Sequence, residues 1–330
     1  MRTEASYLGL RLPHPFIAGA SPFGHHVDSV KRLEDAGWAA VVLHSLFEEQ
    51  ITEASGGRIR HMDPLNPSFA GMLAHFPAHH EYALGPDAYA EHISRIKQAV
   101  KIPVIGSLNG TSPESWLKFA RVIQQAGADA LELNLYEVVA NLVTPAAAIE
   151  ATLAGIVAEV KRIITIPLAV KVLPYFTSFG DMARQLDKAG ADALVLFNRF
   201  YQADIDIKTM KVTPQVVLST SSELLLRLRW LAILHGRIRP ALAVTGGVSV
   251  PNDGIKAILA GADVVQMTSA LLRHGPTYVS AMRDGLERWM EWHQIETLDD
   301  VRGRASLQRT HDPSASERAD YIHTLQTWGH

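Results

Sequence analysis

The chain has 330 residues, 47% of them hydrophobic and 20% charged, with no cysteine. Lys and Arg total 31 against 34 Asp and Glu, a formal net charge of −3, which gives no support to a nucleic-acid or polyanion binder. The missing cysteine excludes disulfides, thiolate nucleophiles, Cys-ligated zinc and iron–sulfur clusters anchored by this chain's own thiols.

In chain order, the opening MRTEASYLGL lacks the charged-then-apolar order of a secretory leader, so a cytoplasmic protein is expected. No apolar run approaches 18 residues, so no membrane span is expected. Pro15 opens a first strand over 15–21. A helical stretch then closes at Ala36-Gly37 and leads into a strand over 39–45. Residues 46–100 hold a charged stretch, a Pro- and His-rich loop with His75, His79 and His80, and a helix near 87–99. Pro103 opens a strand over 103–108. A helix-like run from Ser115 to Gln125 leads through Ala126-Gly127 into a strand over 130–135. Pro167 opens 167–172, Ala189-Gly190 leads into 193–198, Pro240 opens 241–247, and Ala260-Gly261 leads into 264–270.

Two echoes thus alternate along the chain. Ala-Gly after a helix supplies a left-handed C-cap before a short apolar run. Proline elsewhere opens a strand, where its missing N–H is not yet needed. Eight such units argue for a single (β/α)₈ barrel over 1–330, with insertions at the C-terminal face and a helical tail over 285–330. The tail combines an amphipathic helix, a polar stretch from Arg309 to Glu317 and a short helical pattern at Tyr321–Trp328. It reads as packing or an oligomer contact such as a homodimer. A doubly wound sheet is weakened because no early G-x-G-x-x-G follows a strand.

Barrel active sites sit at strand C-termini, so polar residues there are candidates. They are Ser21, His44, Ser45, Ser107, Asn109, Asn134, Glu137, Lys171, Asn198, Arg199, Thr245, Gly246, Gly247, Thr268 and Ser269. Gly246-Gly247 and Thr268-Ser269 close strands seven and eight, the usual phosphate position. Without a phosphate, Gly-Gly is simply a tight turn. Lys171 interrupts an apolar strand, and an ammonium aimed into a barrel mouth needs an anionic partner. A flavin edge or a carboxylate substrate fits; a solvated strand-end lysine is the alternative. Asn134 alone is equally well read as a turn residue. The 15 histidines suggest metal, but no H-E-x-x-H occurs, and the adjacent pairs His25-His26 and His79-His80 share no face of a regular element. No metal is expected.

Taken together, several segments resemble the dihydroorotate dehydrogenase family. They are Pro15-Phe16 through Ala20-Ser21, Glu132 to Leu135, Pro167 to Pro174 with Tyr175-Phe176, Phe197-Asn198, Thr245 to Gly247, and Gly261 to Pro276. The resemblance spans about residues 7–290 and implies an FMN-containing barrel. It implies that Ala20 and Ser21 approach the flavin and that Lys171 meets its pyrimidine edge. Asn134 and Asn198 would face flavin and substrate; Gly246, Gly247, Thr268 and Ser269 would hold the phosphate. Ser221 or Ser222 lies near the family's glycine-rich loop after strand six. Ser45 stands at its expected place beside the cofactor, and Asn109 closes strand three on the same face.

The substrate half departs from the family. Its general base, Cys or Ser, is Glu137 here; a later asparagine is Val139; its strand-two lysine is His44. The family's Asn-x-x-Gly-Leu-Pro-Asn loop is not recognisable between 66 and 80. Glu137 could act as a base if burial raised its pKa; otherwise it is solvated or paired with a neighbour such as Arg199. The expectation is hydride transfer between a small dihydropyrimidine-like substrate and FMN, with Glu137 and Lys171 as catalytic residues. Electrons would then leave to a soluble acceptor or a partner subunit. An FMN-binding subunit without dihydroorotate activity and a flavin-free phosphate-binding lyase or isomerase are the alternatives.

Overall fold

The computed structural model describes residues 1–47, 85–109, 113–137, 139–140, 142–199, 203–214 and 217–327. Eight parallel strands close into a barrel. They are β1 (Phe16–Ala18), β2 (Val41–Phe47), β3 (Val104–Asn109), β4 (Ala130–Leu135), β5 (Leu168–Val172), β6 (Ala193–Leu196), β7 (Ala241–Thr245) and β8 (Val264–Met267). Neighbours pair in chain order, with β8 on β1 closing the ring. The (β/α)₈ architecture expected from the alternating echoes is therefore the fold.

Helices return the chain after each strand. They are α1 (Val27–Ala36), α2 (Pro86–Ala99), α3 (Pro113–Gln125), α4 (Ala146–Ile163), α5 (Phe179–Lys188), α6 (Leu224–Leu234), α7 (Pro251–Ala260) and α8 (Ser269–His274). Two more, α9 (Tyr278–Trp292) and α10 (Pro313–Thr327), form the tail. Gly37 and Gly261 end α1 and α7 at φ +94° and +119°, the left-handed cap that the Ala-Gly echo predicts. The tail differs from its expected outline: α9 begins at Tyr278, and α10 absorbs half of the polar stretch. No residue of α10 is buried, so no apolar stripe marked it in the sequence.

Strand period two sorts the side chains into two cores. Outward residues such as Leu131, Leu133, Val170 and Leu194 pack against the helices. Inward residues low in the barrel include the small Ala130, Ala169, Ala193 and Ala243. Tyr7, Leu8 and Leu12 join this inner cluster from an antiparallel hairpin, Ala5–Tyr7 with Leu10–Leu12. The inner cluster leaves the opposite, C-terminal, end of the strands to polar side chains.

Residues after β6 form a second hairpin, Ala203–Asp206 with Lys211–Pro214. The sequence showed no helix there and no strand was expected. Ile205 faces Val212 across this ribbon, and both are exposed. The Pro- and His-rich loop with His75, His79 and His80 lies outside the described residues. Among the described residues, no helix is long and apolar enough to cross a membrane.

Candidate active site at the barrel mouth

The register of β4 and β5 sets Asn134 beside Lys171. Glu132 precedes Asn134 by two residues, so both point inward, Glu132 one layer deeper. Lys171 Nζ donates to Glu132 Oε1 at 3.3 Å. Gln266, inward on β8, donates from Nε2 to Glu132 Oε2 at 2.7 Å. Glu132 is 1% exposed, while the Lys171 side chain retains 12%. The ammonium has three donors, and this carboxylate oxygen engages one.

Above this layer, the Asn198 amide donates to Asn134 Oδ1 at 2.5 Å. On the β2–β3 side, the Ser45 and Ser107 hydroxyls share a hydrogen bond of 2.7 Å. Asn109 is buried at the end of β3. Ser21 is buried after β1, and Thr268 Oγ1 donates to the Ala20 carbonyl at 3.4 Å. The Gly246-Gly247 turn runs at φ +77° and +81°. Any Cβ on Gly247 would stand 2.5 Å from Leu224 N, so α6 begins against this turn.

Ser219 joins the phosphate-type turns. Its hydroxyl donates to Ser269 Oγ at 2.9 Å and accepts from Gly247 N at 3.1 Å. Its own N–H donates to Ser269 Oγ at 3.0 Å. Of the two serines expected in this loop, Ser221 donates to Asp253 Oδ2 at 2.6 Å, while Ser222 is exposed and bonds Thr220. Arg227 is buried under the same turn, donating from Nε to the Thr245 carbonyl and from Nη1 to the Glu223 carbonyl at 2.6 Å.

One expected position, His44, comes out differently. A register shift between Val42 and Ser45 turns the strand, sending Ser45 inward and His44 toward the helices. The His44 ring meets His25 edge-on at 4.4 Å and Tyr89 at 5.3 Å. Burial, then the neighbouring His25 and His92, lower its pKa to about 3. The family's strand-two lysine is thus replaced by a neutral imidazole that lies off the barrel axis. Glu137 is exposed. It lines a cleft of about 330 Å³ with Leu135, Glu150, Tyr175 and Phe176. Asn134, Lys171 and Asn198 do not line that cleft. Arg199 pairs with Glu223 at 3.3 Å. No group of three or more potential metal ligands occurs among the described residues.

The family model for dihydroorotate dehydrogenase matches residues 82–290, more than half of the chain. The chain belongs to the dihydroorotate dehydrogenase family. Members of this family are flavin-dependent oxidoreductases acting on CH–CH groups. The catalytic subunit of dihydroorotate dehydrogenase B (NAD(+)) from Methanothermobacter thermautotrophicus is 25% identical over 316 residues, covering 92% of this chain and 98% of that one. The NAD-dependent dihydropyrimidine dehydrogenase subunit PreA of Escherichia coli K12 is 24% identical over 324 residues, 91% of this chain and 76% of its own. The chloroplastic dihydropyrimidine dehydrogenase (NADP(+)) of Arabidopsis thaliana is 23% identical over 323 residues, with the same two coverages. The resemblance read from the strand-end motifs is therefore a family membership.

Sequence reasoning missed Glu132, Gln266, Ser219 and Arg227. Glu132 and Gln266 carried the same signal as Lys171: a polar residue inside an apolar strand run. Ser219 and Arg227 had no such signal, since their roles arise from where the loop and α6 meet β7.

Proposed function

We propose that this chain is an FMN-dependent oxidoreductase acting on a small dihydropyrimidine-like substrate. The observation that carries the reading is the donor set at the strand ends. A lysine ammonium, two linked asparagine amides and a positive-φ glycine turn with serine hydroxyls converge at one barrel mouth. Lys171 suits the acceptor-rich pyrimidine edge of a flavin. Asn134 and Asn198 offer the directional donors and acceptors that fix a planar ring. Gly246, Gly247, Thr268 and Ser269 suit the phosphate, with backbone N–H groups as the donors. Ala20, Ser21, Ser45 and Asn109 complete the wall. When bound, FMN supplies the two-electron chemistry; the protein supplies binding, orientation and charge.

Glu137 has two readings. As proton acceptor it replaces the family's base at the end of β4. Its exposed position in a separate cleft favours the second, a solvated carboxylate outside the reaction. With no cysteine to hold a cluster, electrons pass to a soluble acceptor or a partner subunit. Two relatives are themselves named as subunits, which supports the second route.

The test is the visible spectrum of the purified protein reconstituted with FMN, followed by anaerobic titration with dihydroorotate and a dihydropyrimidine panel. A flavin spectrum bleached by at least one compound is expected. A colourless protein that takes up no FMN overturns the reading. Bound flavin that no compound bleaches assigns the chain a non-catalytic FMN-binding role.

A further inference from the structure

Glu132 is a carboxylate with almost no access to water, set inside the barrel. A buried ion pair is weak as a source of stability, because desolvation offsets the attraction. Apolar residues of similar volume would fill the site as well. The geometry shows what the carboxylate does instead. Lys171 and Asn134 share one layer, yet the ammonium reaches Glu132 in the layer below. Gln266 fixes the other carboxylate oxygen from across the barrel, so the anchor cannot rotate away. Among the described residues, the buried phenols of Tyr7 and Tyr89 also sense Glu132. Burial first, and Glu132 as a further cause, push both upward, so neither adds charge.

We propose that Glu132 is a positioning residue that anchors the Lys171 ammonium and offsets its charge, thereby setting the reduction potential of the flavin. This inference rests on the FMN reading above. Reduced flavin carries negative charge at its pyrimidine edge, and a free cation there favours it. Glu132 holds that cation low in the barrel as half of a neutral pair. Releasing the anchor lets the cation act on the cofactor unopposed.

The experiment measures the midpoint potential of bound flavin in the intact holoprotein by equilibration with redox dyes. FMN dissociation constants are measured alongside. In Glu132→Gln, preference for reduced over oxidised FMN should rise at least tenfold, a positive shift of about 30 mV for a two-electron couple. In a Lys171→Met background the same substitution should give a smaller shift, because the cation it frees is gone. Equal shifts in the two backgrounds, or an unchanged potential in Glu132→Gln, overturn the anchoring role. Glu132→Asp draws the carboxylate one methylene away from Nζ and should shift the potential in the same direction. It decides the question if the Gln variant does not fold. Failure of the wild-type protein to take up FMN overturns the cofactor reading and this inference together. FMN bound at an unchanged potential overturns this inference alone.

Discussion

The side-chain amide of Asn198 donates to Asn134 Oδ1 at 2.5 Å, tying the residue after β6 to the end of β4. Asn198 spends a donor and Asn134 an acceptor, which leaves Asn134 with its own N–H groups for a ligand. Asn134→Asp keeps the link to Asn198 but replaces those donors with a carboxylate oxygen. FMN affinity should fall ten- to one-hundredfold, about 1.5–3 kcal/mol, as expected for a hydrogen bond involving a charged group. The urea midpoint should change little, because Asn134 is half-exposed. Fluorescence titration of apoprotein with FMN checks the first expectation and urea unfolding the second.

Gly247 makes a sharper demand. Its φ of +81° is unfavourable for any side chain, and a Cβ would stand 2.5 Å from Leu224 N, which is backbone and cannot swing aside. Gly247→Ala must therefore move the turn or the start of α6. A loss of about 1–3 kcal/mol of stability is expected, together with weakened FMN binding. Gly155, exposed within α4, offers a control, since no described atom stands within 4 Å of its Cβ position and it has no positive φ. Gly155→Ala should leave FMN binding at the wild-type value and should not lower stability; parity between the two variants would show that the turn is not constrained.

Much of this architecture was legible because each strand announces itself. Ala-Gly caps and strand-opening prolines are local signals, and β4 begins and ends where those signals put it. Lys171 was legible for the same reason, as a charge in an apolar run. The His44 orientation was not, because a register shift between Val42 and Ser45 inverts the alternation that sequence parity assumes. The sequence left Glu137 open between a buried base and a solvated carboxylate, since strand period two stops at Leu135. The bonds of Ser219 to Ser269 and of Arg227 to the Thr245 carbonyl join distant segments, which no local pattern encodes.

His14 couples the fold to pH. It is 2% exposed, accepts from Phe16 N through Nδ1 at 3.2 Å, and bonds the Gly37 carbonyl through Nε2 at 2.7 Å. That pattern suits one neutral tautomer. Burial lowers its pKa from 6.5 to about 4, with Arg283 adding to the effect and the Gly37 bond opposing it. The folded value lies below the unfolded one, so unfolding takes up a proton in this range. Its contribution is complete above pH 6.5 and is lost as pH falls toward 4. Between pH 7 and pH 5 the loss should be about 2 kcal/mol. His14→Gln, which keeps a donor and an acceptor, should flatten that part of the urea-midpoint profile. A profile as steep as wild type would place the acid sensitivity elsewhere.

The two readings of Glu137 separate on how the substrate proton leaves. Removing a carbon-bound proton needs a base within hydrogen-bond reach, and a positioned base contributes about 10²–10⁴-fold. Glu137→Gln preserves shape and removes the basic oxygen. If Glu137 is the acceptor, the rate of substrate-driven flavin bleaching should drop at least a hundredfold, with FMN affinity unchanged. Stability should also stay within about 0.5 kcal/mol, as for other exposed substitutions away from special features. The contrast with Lys171→Ala makes the result interpretable. Removing Lys171 leaves Glu132 buried without its cation and should cost about 3 kcal/mol of stability, along with FMN affinity. A rate loss confined to Glu137→Gln, with the flavin spectrum intact, therefore isolates proton transfer from cofactor binding. Bleaching at the wild-type rate would instead make Glu137 a solvated carboxylate of the neighbouring cleft.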